Sequence, residues 1–282
     1  MVHINGKFVD DQAASLSITN RSFLYGDGVF ETLKAVNGKI LFWEDHYFRL
    51  MASMRIMRME IPMAFTPEYL ENVILDLLDA NDLLKSPAKI RLTVYRDADG
   101  AYTPQRNDVG YTAFAKTHEN PFYIISDSPY EVDLYKDHYL NADLLSTIKS
   151  TSKALHVLGS IYAKENLLDN CLLVNTNKMV AEALQGNLFL VKGNVIKTPP
   201  LADGCLRGIV RKQLIAIIKL MKEEFVFEEA SISPFELQKA DELFITNTII
   251  GIQPITKYRK KTFTSTVAKT LLQKLNVKVR LT

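Results

Sequence analysis

The residues of this chain with chemistry to offer are two lysines, one carboxylate and one glycine-flanked turn. Lys149 and Lys153 stand in TIKSTSKALHVLGSIYAKE, just ahead of an apolar helical run. An amine at the mouth of a helix, among apolar neighbours, is partly desolvated; this lowers its pKa and suits it to Schiff-base chemistry. Two solvated lysines at a helix start would give the same pattern. Glu182 lies in VAEALQGNLFLVKGN, with Val180, Ala181, Ala183 and Leu184 close on both sides. A buried carboxylate is seldom left unpartnered. Glu182 therefore calls for a cation or a protonated ring nitrogen, with a helix N-cap or an arginine pair as the plainer alternatives. TPPLADGCLRGIVRKQLI then sets a Pro-Pro turn and two glycines directly before a helix. Free N–H groups at such a start, together with the helix dipole, make an anion site suited to phosphate. An ordinary loop-to-helix connection would look similar.

Other chemistries lack their residues. HExxH, GxSxG and the GxxxxGK[ST] phosphate loop are absent, and Gly26-Asp27-Gly28 has no third glycine and precedes a strand, so it fails as a dinucleotide fingerprint. His3, His46, His118, His138 and His156 are scattered without ligand spacing, so no metal site is expected. Cys171 and Cys205 are far apart and outside any CxxC, which points to no disulfide framework and a reducing, cytoplasmic compartment. The opening MVHINGKFVDD lacks the layout of a secretory signal, and no stretch approaches the roughly 18 to 20 apolar residues of a membrane span. Lys plus Arg number 34 against 32 Asp plus Glu, both signs mixed, which is no footprint for nucleic acid. From Lys257 onward the chain carries bases and no acid, read as a solvated helix face and final strand, with an anionic partner as the alternative.

The 282 residues, 47% apolar and 23% charged, describe an ordinary globular chain of one large or two medium domains. HINGKFV reads as a hairpin turning at Asn5-Gly6, and FETLKAV and KILF flank a second Asn-Gly pair at Asn37-Gly38. WEDHYFRLMASMRIM spaces Trp43, Tyr47, Leu50, Met51 and Met54 as a helix does, PEYLENVILDLLDAN reads as another helix, and KIRLTVYRD and VGYTAFAK alternate like paired strands. Asn120-Pro121 breaks the pattern, so residues 1–120 and 121–282 are expected to form two domains. Beyond it come a strand in EVDLYKDHYL and a helix from Lys153 with Leu155, Leu158, Ile161 and Tyr162 on one side. Four short strands follow from Cys171 to Pro200, then a long helix in RGIVRKQLIAIIKLMKEE and two strands in ADELFITNTIIGIQPIT. The expected fold class is α+β in two lobes: a small N-terminal lobe, and a larger C-terminal lobe of mixed or antiparallel sheet with helices.

In this order, YGDGVFETLKAVNGK, the helix containing Arg49, VAEALQGNLFLV and GCLRGIVRKQ resemble the fold-type IV pyridoxal-phosphate enzymes, the class IV aminotransferases. That family includes branched-chain and D-amino-acid aminotransferases and aminodeoxychorismate lyase. The resemblance implies pyridoxal 5′-phosphate as cofactor, a D-amino-acid aminotransferase-like fold and a homodimer. Lys153, in the register set by GSIYAKE, matches the lysine that forms the Schiff base and shuttles the proton. Glu182 matches the partner of the pyridine nitrogen, and Arg49 a phosphate-binding arginine. Ile209 and Val210 match the two residues whose N–H groups hold phosphate, and Thr248 a hydroxyl beside it, with Asn247 adjacent. His156 stands where an asparagine is common and could bond the 3′ oxygen. Phe30 replaces a tyrosine of some D-amino-acid enzymes, and RDADGAYTPQRN lacks the arginine-histidine pair of that branch.

Within the family the first steps are shared, so substrate loops decide the outcome. The compact length, the asparagine-plus-aliphatic TNTIIGIQPI and Tyr102 in GAYTP lean towards 4-amino-4-deoxychorismate lyase, releasing pyruvate and giving 4-aminobenzoate. An aliphatic pocket of Phe30, Ile249 and Ile250 would equally suit a branched-chain amino acid. Two other classes stay open: a non-catalytic cofactor-binding module, and an interaction protein using its basic end, whose binding would fall steeply with salt.

Overall fold

The computed structural model describes residues 1–126 and 128–281; Asp127 and Thr282, both in the range read as the C-terminal domain, lie outside them. The chain divides into two compact units, Met1–Pro121 with Ile148–Lys153, and Phe122–Thr147 with Ala154–Thr282. It thus leaves the first unit next to Asn120-Pro121 and comes back once, for a short segment that ends on Lys153.

The first unit is built on β1 (Val2–Ile4), β2 (Lys7–Val9), α1 (Arg21–Tyr25), β3 (Gly28–Val36), β4 (Lys39–Ile40), α2 (Trp43–Ile56), α3 (Pro67–Asp79), β5 (Ala88–Arg96) and β6 (Val109–Thr117). Both Asn-Gly pairs turn hairpins with positive φ at each residue (45° and 85° at Asn5-Gly6, 50° and 73° at Asn37-Gly38), as a type I′ turn requires. The strands form one antiparallel sheet in the order β2-β1-β6-β5-β3-β4. Strand alternation sends Val29, Leu33 and Ala35 to one face, where they join Leu50, Met54, Ile74, Leu77 and Ile90 in a core under α2 and α3. Glu31 belongs to that same face. Thr66 caps α3 through the Tyr69 N–H, with Pro67 in the first turn. β4 pairs with Ala35 and Val36 at one end of β3, and the returning segment serves the other end: Phe30 N–H donates to Lys149 O and Thr151 N–H to Gly28 O, each at 2.8 Å.

The second unit contains β7 (Glu131–Leu140), α4 (Ala154–Glu165), β8 (Asn170–Asn175), β9 (Val180–Ala183), β10 (Asn187–Lys192), β11 (Val195–Thr198), α5 (Ile209–Leu220), β12 (Val226–Glu229), α6 (Pro234–Lys239), β13 (Glu242–Asn247), β14 (Gly251–Ile255), β15 (Lys257–Tyr258), β16 (Lys261–Thr262) and α7 (Thr266–Leu281). Two five-stranded mixed sheets, β12-β11-β10-β13-β14 and β16-β15-β7-β8-β9, enclose a core of Leu134, Leu172, Val174, Leu188, Leu243, Ile245 and Tyr258. The parallel β7–β8 pair needs a crossover, which α4 supplies. Helices α5 and α7 pack on β13 and on each other, over a stacked Phe189–Phe244 pair with centroids 5.1 Å apart.

Three expectations need correction. The chain's last element is a helix, because Leu271, Leu272, Leu275 and Val279 recur at helical spacing and are buried, which overrides the strand-like NVKVRL. Lys257 and Arg259 of the basic tract pair with Glu131 and Asp133. On α4 the buried positions are Gly159 and Ala163, whereas Leu158 and Ile161 stay 45% and 49% exposed. Small residues let α4 lie close to the sheet, Leu155 and Tyr162 pack partly buried against it, and Val157, Leu158 and Ile161 point outward. α6 was also not read from the sequence, although Ser233-Pro234-Phe235-Glu236 closes a capping box. No helix among the described residues is long and apolar enough to cross a membrane.

Candidate active site

In the first unit the chemistry gathers between β3 and α2. His46 and Arg49 are three residues apart on α2 and so share a face. That face meets Glu31. Arg49 donates from Nε to Glu31 Oε1 at 2.8 Å and from Nη2 to Oε2 at 2.5 Å, and His46 Nδ1 bonds Oε2 at 2.7 Å. Burial disfavours the Glu31 carboxylate, but Arg49 and His46 outweigh it and hold its pKa at about 2. An ionised Glu31 only accepts, so the proton of the His46 contact sits on Nδ1. His46 itself is lowered, chiefly by burial and further by Arg49 and Lys149, against the pull of Glu31. Its Nε2 is buried and has no hydrogen-bond partner among the described residues.

Phe30, next to Glu31, faces the other side of β3. Arg91 lies over its ring at 3.4 Å from the centroid and Lys149 at 4.5 Å. Lys149 and Lys153 are both half-buried in the returning segment, and Lys153 is joined directly to the first residue of α4. Tyr102 is 88% exposed, its ring 5.6 Å from that of Tyr25. Its loop is fixed by Arg21, which donates to the carbonyls of Gly100, Ala101 and Tyr102 and, with Arg96, ion-pairs with Asp27.

In the second unit Glu182 is buried on β9, opposite Leu173 of β8 and on the face turned to α4. Its Oε2 accepts the Leu206 N–H at 2.8 Å, and its Oε1 lies 3.4 Å from His156 Nε2. Among the described residues Glu182 pairs with no arginine and caps no helix. His156 is thus engaged with the carboxylate. From Leu206 the loop enters α5, whose N-cap is Gly208 with no side-chain cap, followed by buried Ile209 and Val210. A Cβ on Gly208 would overlap the Asn187 Oδ1, so a larger residue there would displace the Asn187 side chain. Asn187 Nδ2 donates to Leu206 O at 2.8 Å and ties the loop to β10. Past β13, Asn247 Oδ1 accepts from the N–H groups of Ile249 and Ile250, both at 3.0 Å, and Thr248 O accepts from Tyr123 Oη at 2.8 Å. Thr246 Oγ1 and Arg211 Nε are buried without a partner among the described residues.

Glu31, His46, Asn187 and Thr246 were missed as site candidates. For Glu31 a signal existed: strand alternation puts a carboxylate on the apolar face of Val29, Leu33 and Ala35. For Asn187 and Thr246, a cross-strand pair of β10 and β13, nothing local gives the pairing away.

The residues fit pyridoxal 5′-phosphate. A helix start without a side-chain cap is of the kind that takes a phosphate, a buried carboxylate with one oxygen committed to an N–H is of the kind that partners a protonated ring nitrogen, and lysine is the residue type that offers an amine. Fold and residues together define a pyridoxal-phosphate-dependent enzyme of fold type IV. A branched-chain aminotransferase of Thermoproteus uzoniensis, solved with norvaline, is similar at a TM-score of 0.88 and 25% identity over 99% of this chain and 94% of that one. A Legionella pneumophila protein provisionally assigned as 4-amino-4-deoxychorismate lyase is similar at 0.80 and 25% over 95% and 97%. Among curated sequences, a Methanocaldococcus jannaschii protein provisionally named a branched-chain-amino-acid aminotransferase is 34% identical over 90% of this chain and 86% of its own length. The D-alanine aminotransferase of Staphylococcus haemolyticus is 27% identical over 91% and 88%. The sequence model of the family described as amino-transferase class IV matches residues 28–258, and the chain belongs to that family.

Proposed function

We propose that this enzyme moves an amino group between an α-amino acid of branched aliphatic type and a 2-oxo acid. The observation that carries the cofactor chemistry is Glu182, a buried strand carboxylate steadied by the Leu206 N–H and by His156, with Oε1 in only a long 3.4 Å contact. The 34% identity to the M. jannaschii protein supports the substrate class.

When bound, pyridoxal 5′-phosphate supplies an aldehyde for amine condensation and a ring that takes up the electron pair left at the substrate α-carbon. Lys153 would supply the amine that holds the cofactor and would serve as the base for the substrate α-proton. Glu182 holds a proton on the pyridine nitrogen, and His156 orients that carboxylate. Arg49, the N–H groups of Ile209 and Val210, and Thr248 bind the phosphate, with Asn247 shaping the turn beside Thr248. By sequence these groups lie mainly in residues 121–282, taken as the cofactor-binding domain, but Lys153, like Arg49, belongs to the first compact unit. Phe30, Tyr102 and Ile249 are the substrate-side candidates. A homodimer fits the exposed Ile18 and Phe23, at 79% and 75%.

The lyase reading is supported by Asn247 organising an aliphatic turn of Ile249 and Ile250, and by the likeness to the Legionella structure. One comparison tests both readings. Leucine with 2-oxoglutarate should yield glutamate, and 4-amino-4-deoxychorismate should yield no pyruvate. Pyruvate from the second alone would overturn transamination in favour of the lyase; activity confined to D-alanine would overturn the substrate class.

A further inference from the structure

We propose that Glu31 and His46 are positioning residues of the phosphate site, Glu31 setting the plane of the Arg49 guanidinium and His46 setting Glu31. The proposal rests on the reading of Arg49 as a phosphate ligand. Guanidinium is planar and presents its N–H groups in a rigid fork. Glu31 takes the Nε–Nη2 edge through both oxygens, at 2.8 and 2.5 Å. With that edge clamped, the direction of the N–H bonds not committed to Glu31 is fixed before any anion arrives, and little ordering remains to be done on binding. Glu31 would still be free to swing about its own χ angles, were it not for His46 Nδ1 at 2.7 Å on Oε2.

An ion pair kept for stability alone is a poor explanation, since a buried pair is often no better than an apolar replacement. His46 adds a second reason. It is fully buried, yet its Nε2 has no partner among the described residues, and such atoms are rare where nothing else comes to meet them. The unit is therefore satisfied at the Glu31 end and open at the other.

Electrostatics and positioning predict opposite signs. Neutralising Glu31 leaves Arg49 and Lys149 less compensated, so by Coulomb attraction alone a phosphate would bind more tightly. If Glu31 orients the fork, the same change loosens it.

The test uses apoprotein titrated with pyridoxal 5′-phosphate and with pyridoxal, followed by the fluorescence of Trp43, the sole tryptophan. The ratio of the two affinities isolates the phosphate and is indifferent to general damage. Glu31→Gln is expected to lower that ratio about tenfold, by analogy with other outer-shell partners. His46→Leu should lower it as well. His46→Asn, which keeps a donor near the Nδ1 position, should restore most of it. A ratio that rises or stays within twofold in Glu31→Gln, while Arg49→Lys lowers it, overturns the proposal and leaves the Arg49 reading standing. A ratio unmoved by Arg49→Lys overturns that reading itself. If Glu31→Gln does not fold, Glu31→Asp and the two His46 variants decide by the same ratio.

Discussion

Among single residues, Glu182 and Glu31 are both buried carboxylates, and their partners set them different tasks. Glu182 has an N–H and a distant imidazole, so it retains capacity to accept from a ring nitrogen. Glu182→Gln should keep the cofactor bound but slow exchange of the substrate α-proton by at least about 100-fold, because an amide cannot hold the ring protonated. Proton NMR of the substrate in D2O reads this, and unaltered exchange would remove Glu182 from its role. Glu31 is saturated by Arg49 and His46, and its folded pKa of about 2 lies below the ordinary 4.5. The sign follows: its contribution is complete above pH 4.5 and disappears as the pH falls through 2. The difference corresponds to about 3 kcal/mol. Urea midpoints should therefore fall more steeply between pH 4.5 and 2 in the native protein than in Glu31→Gln; parallel curves would show that the pair adds nothing.

At the level of elements, the start of α5 is the clearest device. Gly208 is extended, with φ −69° and ψ 140°, which is the backbone a following proline demands. Ile209→Pro is thus compatible with the helix and removes one N–H that no intrahelical carbonyl uses. Far-UV circular dichroism should be preserved, with a stability loss of about 1 kcal/mol from reduced side-chain burial. The affinity for pyridoxal 5′-phosphate should fall several-fold while that for pyridoxal holds. An equal fall for both would mean that the helix start does not bind phosphate. Helix α4 illustrates a different rule. Its sequence is apolar nearly all round, so periodicity could not tell which side packs; Gly159 does, because a Cβ there would stand 2.5 Å from Leu184 Cδ2.

For the whole molecule, the exposed apolar side chains form the observation with the widest consequence. Ile18 and Phe23 are three-quarters exposed, and Val157 on α4 is 56% exposed. Leaving such surface in water is unfavourable, and clusters of it mark sites of association. Sedimentation equilibrium at micromolar concentration should give twice the 32.0 kDa of the chain, and Phe23→Asp should shift the population towards the single chain. A single-chain mass for the native protein would sink the dimer.

Local rules were legible where the chain itself closes them. Asn-Gly turns, the α2 and α3 periodicities and the run before α5 involve neighbours in sequence, so residue types alone fix φ, spacing and the uncapped N–H groups. The roles proposed for Lys153 and Glu182 rest on their settings in the sequence and on family likeness. What the tertiary structure decided was partnership across distance. β3 takes back a segment more than a hundred residues away, Glu31 finds Arg49 and His46 from another element, and Leu206 reaches Glu182 from across a loop. Such pairings depend on which faces pack together, and packing is a property of the assembled chain that no local spacing encodes.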